Sequence, residues 1–167
     1  QRHALNGGGV GALAALGQAG LDERARIGKS RDAAAIAAFA AEIVAQLPLR
    51  GAVQAVAAAG ESAYAGLSNG DIVWVDLGFN EEVGRVRISG AIQDLGVQGN
   101  YLYALTGDRL YVFDRFAESL PPLNSTPSPI VSSGNTRLFV GEDLAYTTHG
   151  KGYNTFDVTN PEAPALI

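Results

Sequence analysis

The 167-residue chain contains no cysteine and no methionine, and it has only two histidines, His3 and His149. Without cysteine there is no disulfide framework, no thiolate metal site and no cysteine nucleophile. Neither histidine has neighbours in the sequence from which a Ser-His-Asp arrangement can be recognised. His149 adjoins a hairpin glycine and is predicted to be an exposed turn residue. These absences predict no catalytic residue and no cofactor.

Basic residues are scarce as well. The chain has 12 Lys and Arg against 17 Asp and Glu, and its pI is near 4.9. A general nucleic-acid binder carries a basic stripe, so this balance argues against a nucleic-acid partner. Residues 1–50 carry six basic and four acidic residues, whereas residues 51–167 carry six and thirteen. Because nearly all aromatic residues also lie in the second region, we predict a lead-in over residues 1–42 and a separate domain over residues 43–167.

The lead-in is rich in Ala and Gly. Its uncharged stretch from Ala4 to Leu21 holds six glycines, and we interpret it as a linker with no membrane span and no signal peptide. Residues 31–41, RDAAAIAAFAA, are predicted to form a short helix because Ala dominates there. Residues 42–49, EIVAQLPL, alternate as a strand does, and Pro48 is compatible with an edge strand.

A pattern of about 40 residues repeats from residue 52 onward, and such periods are typical of repeat architectures. Each unit has an apolar run, a Gly turn, a strand with a central Tyr, a second Gly turn and a strand that ends in Asp. The units are predicted to cover residues 52–90, 91–133 and 134–167. The repeated tyrosines and aspartates are Tyr64, Tyr103, Tyr146, Asp76, Asp114 and Asp157.

The turn chemistry indicates antiparallel hairpins. Asn69-Gly70, Gly107-Asp108 and residues 150–152 supply the positive φ values that tight hairpins need. With an earlier Gly turn in each unit and a further strand after each Asp, every unit has four short antiparallel strands. This is the pattern of a β-propeller blade. The predicted fold is therefore all-β, a partial propeller preceded by the short helix.

The end of the third unit is similar to a known family. Residues 156–167, FDVTNPEAPALI, follow a Tyr-containing strand and a Gly turn, and they resemble the LVIVD-repeat β-propellers. Units of that family carry a related Asp-Val-Ser/Thr-Asn/Asp-Pro-x-x-Pro tail. The first two units keep Asp76 and Asp114 but lack the Asn-Pro-x-x-Pro sequence. The resemblance, over residues 43–167, implies an extracytoplasmic or surface propeller with no shared catalytic chemistry.

The repeated side chains allow two interpretations each. Carboxylates at strand ends accept backbone N–H bonds in the following turn. Three of them at equivalent positions, Asp76, Asp114 and Asp157, could instead ring a cation, and we favour the turn role. The tyrosines are predicted to occupy equivalent places and to be buried between blades rather than to form a binding ladder.

Three units do not close a ring, since propellers typically have four to eight blades. We expect the outward face of the third unit, with Phe156 and Tyr153, to pack against further blades of the same parent chain or against another copy. The favoured function is a non-enzymatic interaction or adhesion scaffold, a segment of a larger secreted or cell-surface protein, with a surface protein or glycan as partner. The periplasm is an alternative location. The alternative function is a ligand-binding or hydrolytic propeller with active residues on missing blades or on loops, such as Asp94, Arg109 and His149.

Overall fold

A computed structural model of the chain describes residues 45–129 and 136–167. The predicted helix over residues 31–41, the lead-in and the beginning of the predicted strand over residues 42–49 lie outside this part. No helix among the described residues is long and apolar enough to cross a membrane.

The described residues form three four-stranded sheets, and the strands in each are antiparallel and follow one another in chain order. The first sheet contains β1 (Val53–Ala59), β2 (Ser62–Leu67), β3 (Asp71–Asp76) and β4 (Glu81–Arg87). The second contains β5 (Asp94–Gln98), β6 (Tyr101–Leu105), β7 (Arg109–Asp114) and β8 (Pro122–Pro127). The third contains β9 (Leu138–Val140), β10 (Leu144–His149), β11 (Gly152–Asp157) and β12 (Ala165–Leu166).

The hairpin turns lie where the glycine pattern predicts them. Gly60 and Gly99 turn the first hairpins of the first two sheets with φ of 62° and 55°, and Gly70 turns β2 into β3 with φ of 87°. These values belong to the left-handed region, which glycine enters without a steric penalty. Gly152, where the turn between β10 and β11 ends, also has a positive φ, 143°. The all-β fold and the four-stranded blades are thereby confirmed. The positive φ predicted for Gly107-Asp108 is wrong, since the turn between β6 and β7 forms without one.

The sheets pack face to face along the chain. One apolar cluster lies between the first and second sheets and includes Tyr64, Leu102 and Phe113. A second lies between the second and third sheets and includes Tyr103 and Phe156. The inner strands β1, β5 and β9 lie side by side, with β5 in contact with both of the others. This radial arrangement is that of propeller blades around an axis.

The predicted strand over residues 42–49 is wrong for its described part. Residues 45–49 form no strand, because no described strand lies beside them to complete a ladder. Instead, Leu47 and Leu49 pack on the outer face of the first sheet, against Val73 and Val75.

The repeated tyrosines occupy equivalent register positions. Each lies opposite the residue two positions before the repeated Asp; these partners are Trp74, Val112 and Thr155. Tyr64 and Tyr103 are 3% and 2% exposed, as predicted, but Tyr146 is 39% exposed. The burial predicted for Tyr146 is wrong because no described sheet covers the outward face of the third sheet.

The exposure predicted for Phe156 is also wrong. Phe156 lies opposite Ala145, on the face of the third sheet that meets the second, and it is fully buried. Tyr153 lies opposite Thr148 on the other face and is 68% exposed. Because side chains alternate along a strand, these two residues, three apart, point to opposite faces.

Candidate functional site

The repeated aspartates lie in the turns that follow the third strand of each blade. The Asp76 carboxylate accepts hydrogen bonds from the backbone N–H groups of Gly78, at 2.7 Å, and Phe79, at 3.0 Å. Asp114 accepts one from Phe116 N–H at 2.9 Å. Such local bonds between a carboxylate and the next turn fix the direction of the chain.

Asp157 fixes the corresponding turn of the third blade. Both the hydroxyl and the backbone N–H of Thr159 donate to its carboxylate. These two hydrogen bonds lower the pKa of Asp157, and the bond from the hydroxyl has the larger effect. The three repeated aspartates end strands of three separate sheets. Within residues 45–129 and 136–167, no group of three His, Asp or Glu side chains that could hold a metal is present.

Two of the loop residues proposed for a ligand-binding or hydrolytic site have structural bonds. Asp94 is buried and accepts a hydrogen bond from Leu138 N–H at 2.8 Å, which joins the second blade to the third. The Arg109 guanidinium donates from Nε to Ser125 Oγ, at 3.1 Å, and from Nη2 to Ser125 O, at 3.2 Å. This ties β7 to β8. Their polar groups therefore stabilise the blades.

The third of these loop residues, His149, is half-buried rather than fully exposed as predicted. It is the last residue of β10, and its Nδ1 accepts a hydrogen bond from Lys151 N–H at 3.1 Å. The ring hydrogen is therefore on Nε2, which is buried and has no hydrogen-bond partner among the described residues.

A pocket lies at the end of the blades where the inner strands begin and the β2–β3 hairpin turns. We call it the axial pocket; its volume is about 360 Å³. Gln93 and Ile92 come from the linker between the first two blades. The polar side chains that line it are Gln54, Ser68, Gln93, Thr136 and Arg137.

The axial pocket is built by the repeat. The pairing of inner strands with their neighbours places Gln54, Gln93 and Thr136 at equivalent positions of the three blades. Composition and motif searches missed these residues, although the repeated Gly-Ala-x-Gln sequence at residues 51–54 and 90–93 is a signal that could have found two of them.

The chemistry of the axial pocket is that of a hydrogen-bonding site. The described residues that line it offer two amides, two hydroxyls and one guanidinium, and none of them carries a carboxylate. The hydroxyl oxygen of Thr136 is buried and lacks a partner among the described residues. Amides and hydroxyls both donate and accept, and Arg137 adds charged donors. The pocket therefore fits a polyhydroxylated or carboxylate-bearing molecule.

An ionic cluster on the first blade was also missed by sequence reasoning. Asp71 is 3% exposed, and its carboxylate accepts hydrogen bonds from Arg87 Nε at 2.6 Å and from Arg85 Nη1 at 3.0 Å. The pKa of Asp71 is held well below its usual range, mainly by the hydrogen bond from Arg87. The hydrogen bonds from Arg85 and Asn69 lower it further. Asp71 comes from β3, and Arg85 and Arg87 come from β4, so these ion pairs stabilise the outer edge of the blade.

The outward face of the third blade carries large exposed apolar side chains. We call this surface the open face. Tyr146 and Tyr153 lie edge to face on it, with ring centroids 6.4 Å apart. Its apolar residues and their exposures are Phe139 at 59%, Tyr146 at 39%, Tyr153 at 68% and Ile167 at 71%. Contiguous exposed apolar surface of this kind marks an interaction site.

Comparisons with known proteins identify the fold. No protein-family model and no curated protein matches the chain. Among solved structures, the computationally designed Ika4 protein is 14% identical over 77% of this chain and 78% of its own, with a TM-score of 0.60. The β-propeller domain of Cps50 (Swd1) from Myceliophteria thermophila is 17% identical over 75% of this chain, also at 0.60. BamB from Moraxella catarrhalis is 15% identical over 68%, at 0.55.

These neighbours are β-propeller proteins, and the fold and the comparisons define this chain as an all-β protein of propeller blades. The chain spans 41% of the length of the Cps50 chain and 36% of BamB. At these identities the likeness concerns the fold alone. The resemblance to LVIVD-repeat propellers stays a prediction.

Proposed function

We propose that this chain is part of a β-propeller of more than three blades that serves as a non-enzymatic interaction and adhesion scaffold of a secreted or cell-surface protein. The observation that carries this proposal is the axial pocket, which takes equivalent side chains from successive blades. A rigid repeat scaffold that presents polar side chains at one end is suited to binding. Asp94 and Arg109, in contrast, already have structural partners.

The ligand class that the axial pocket fits best is a glycan. Amides and hydroxyls pair with sugar hydroxyl groups, and Arg137 offers donors to a sugar carboxylate. The resemblance of residues 156–167 to LVIVD-repeat propellers supports a location outside the cytoplasm, on the surface or in the periplasm.

A hydrolytic propeller is the second candidate. The observation that favours it is the Nε2 of His149, which is buried without a hydrogen-bond partner among the described residues and could donate to a substrate once the ring turns outward. In this alternative the remaining catalytic residues come from other blades of the ring.

The test is a glycan array probed with the purified chain and its variants. We expect binding to acidic or hydroxyl-rich glycans, with a loss of about tenfold in Arg137→Ala, since a lost charged hydrogen bond costs about 1.5 kcal/mol. Lys151→Ala, which removes the same charge from a nearby hairpin, is the matched control. Absence of glycan binding, or equal loss in both variants, would contradict the proposal.

Two further measurements separate the alternatives. Hydrolysis of a glycoside or ester panel that disappears in His149→Ala would favour the hydrolytic propeller. Immunolabelling of intact source cells should detect the chain without permeabilisation if it lies at the surface. Labelling only after the outer layer is opened would place it in the periplasm or inside the cell.

A further inference from the structure

An arginine side chain bridges the first two blades at the end where β1 and β5 finish. Arg115, in the turn after β7, donates from Nε to the Tyr64 hydroxyl and from Nη2 to Ala59 O of the first blade, both at 3.2 Å. Its Nη1 donates to Gly99 O of its own blade at 2.7 Å. Its Cζ lies 5.9 Å from the centroid of the Tyr64 ring, within the range of a cation–π interaction. Two blades therefore build one site for a guanidinium group.

The repeat places the same backbone arrangement between the second and third blades. Arg115 N–H donates to Asn100 O at 2.9 Å, and Val158 N–H donates in the same way to Asp143 O at 2.8 Å. Val158 therefore takes the position of Arg115. Counted from this bond, which each blade contains, the acceptors Tyr64, Ala59 and Gly99 of the Arg115 site correspond one blade further on to Tyr103, Gln98 and Glu142.

These corresponding residues line a pocket between the second and third blades, which we call the groove pocket. Its volume is about 420 Å³, and its lining includes Gln98, Tyr103, Glu142 and Val158. The valine side chain has no hydrogen-bonding group and is shorter than that of arginine. No basic residue is among the described residues that line the groove pocket. The groove pocket therefore repeats the acceptors of the Arg115 site without its arginine.

The groove pocket also favours a cation by its charge and its hydrogen-bond acceptors. Glu142 stands where the Arg115 site has a glycine, so an exposed carboxylate is added to the site. Tyr103 is buried, and burial, with a smaller effect of Tyr101, raises the pKa of its hydroxyl. The hydroxyl therefore stays neutral and can accept an N–H bond at neutral pH. A guanidinium presents five N–H groups in a planar fork, which suits separate hydroxyl, carbonyl and carboxylate acceptors better than a compact ammonium group does.

We propose that the groove pocket binds a guanidinium group of another molecule, either an arginine side chain of a partner protein or a small guanidinium compound. The group donates to the Tyr103 hydroxyl and to Gln98 O. The Glu142 carboxylate takes the role that Gly99 O has for Arg115. The groove pocket adjoins the end of β5, whereas the axial pocket adjoins its beginning. Guanidinium binding here is therefore independent of glycan binding in the axial pocket.

The test is an NMR titration of the full isotope-labelled chain with short peptides that are acetylated and amidated at their ends. We expect the Gly-Arg-Gly peptide to shift the backbone amide signals of Gln98 and Glu142 in a saturable way. The Gly-Lys-Gly peptide carries the same charge without the planar fork and should bind about fivefold more weakly. Methylguanidinium separates the two sources of the group. Tighter binding of the arginine peptide identifies an arginine side chain as the ligand, and equal binding identifies a small compound.

Four variants locate the binding. Tyr103→Phe removes the hydroxyl and keeps the ring, so the affinity for the arginine peptide should fall about fivefold. Glu142→Gln removes an exposed charge and should lower the affinity about threefold. Its matched control is Glu81→Gln, which removes an exposed carboxylate from the first blade and should leave the affinity unchanged. Val158→Arg supplies a guanidinium from the position of Arg115 and should abolish binding by occupying the groove pocket.

Three results would overturn the proposal. One is the absence of saturable shifts at Gln98 and Glu142 with the arginine peptide and with methylguanidinium. Another is equal affinity for the arginine and lysine peptides. The third is an unchanged affinity in both Tyr103→Phe and Glu142→Gln. Because Val158 is only 1% exposed, circular dichroism checks the folding of Val158→Arg, and the two conservative variants decide the question if that chain does not fold.

Discussion

At the scale of single residues, the polar groups that the repeat emphasises stabilise turns and blade edges. Asp76 bonds the turn after β3, and Asp94 joins two blades through Leu138 N–H. A carboxylate that accepts backbone N–H groups in its own turn is held by local geometry and cannot easily turn toward a shared cation. Buried polar atoms that have no hydrogen-bond partner within residues 45–129 and 136–167 are found instead at Thr136 and His149.

Asp71 should make stability depend on pH. Its pKa is lowered in the folded state, mainly by Arg87, so its contribution is present above the unfolded pKa near 3.9 and is lost as the pH falls below that value. We expect the free energy of unfolding of the natural chain to fall between about pH 5 and pH 2. Asp71→Asn should flatten this dependence and cost about 2 kcal/mol at pH 7. Urea melts at several pH values measure both effects.

The control is Glu118→Gln, which removes an exposed carboxylate and should leave the pH dependence of unfolding unchanged. An Asp71→Asn chain with the same acid sensitivity as the natural chain would show that the ionic cluster does not govern it.

The turn role of Asp76 predicts a stability effect without a metal effect. Asp76→Ala removes the acceptor of two backbone hydrogen bonds and should lower the free energy of unfolding by about 1 kcal/mol. Asp76→Asn, which keeps one acceptor oxygen, should lose less. Thermal melts of the natural chain with and without EDTA should coincide. A drop of many degrees with EDTA would restore the cation role of Asp76, Asp114 and Asp157.

At the scale of elements, strand and turn positions could be predicted because the sequence displays glycines at the hairpin turns, and Gly60, Gly70 and Gly99 adopt the positive φ that the pattern predicts there. Face assignments could not all be predicted. Phe156 and Tyr146 are apolar residues of neighbouring strands, and only the observed register shows that they point to opposite faces. The axial pocket was missed for a related reason, since its residues are uncharged and converge only when three inner strands lie side by side.

The close contact of the first and second blades depends on Gly66. A Cβ at this position would lie 2.9 Å from Ile92 Cβ, closer than side-chain carbons pack. Gly66→Ala should therefore force the blades apart and destabilise the fold by about 1–3 kcal/mol. Gly150→Ala is the control, because a Cβ there meets nothing within 4 Å. Chemical denaturation of both variants measures the difference, and equal stabilities would show that the Ile92 side chain moves aside at no cost.

At the scale of the whole molecule, the tyrosine-bearing faces of the first two sheets are covered, whereas no described residue covers that of the third. The clusters around Phe113 and Phe156 show that each blade uses one face to receive the tyrosine side of its neighbour. The third blade has the same tyrosine side, with Tyr146 in the equivalent register position, and no described neighbour. The same kind of interface is therefore repeated between successive blades, and the open face presents the equivalent side of the third blade.

The open face should make the melting temperature depend on protein concentration. Burying a large apolar side chain contributes about 1.5–3 kcal/mol, so covering Phe139, Tyr146 and Tyr153 favours association strongly. Because association stabilises only the folded state, raising the concentration of the natural chain 100-fold should raise its melting temperature by several degrees.

Phe139→Ser/Tyr153→Ser should abolish this dependence while keeping the β-sheet circular dichroism signal, since both residues are exposed within one copy. Phe79→Ser/Phe116→Ser, which removes two exposed aromatic side chains from turns away from the open face, should melt with the same concentration dependence as the natural chain. A natural chain that melts cooperatively at one temperature at all concentrations, and that scatters light as a 17.3 kDa particle, would show that the open face needs no partner.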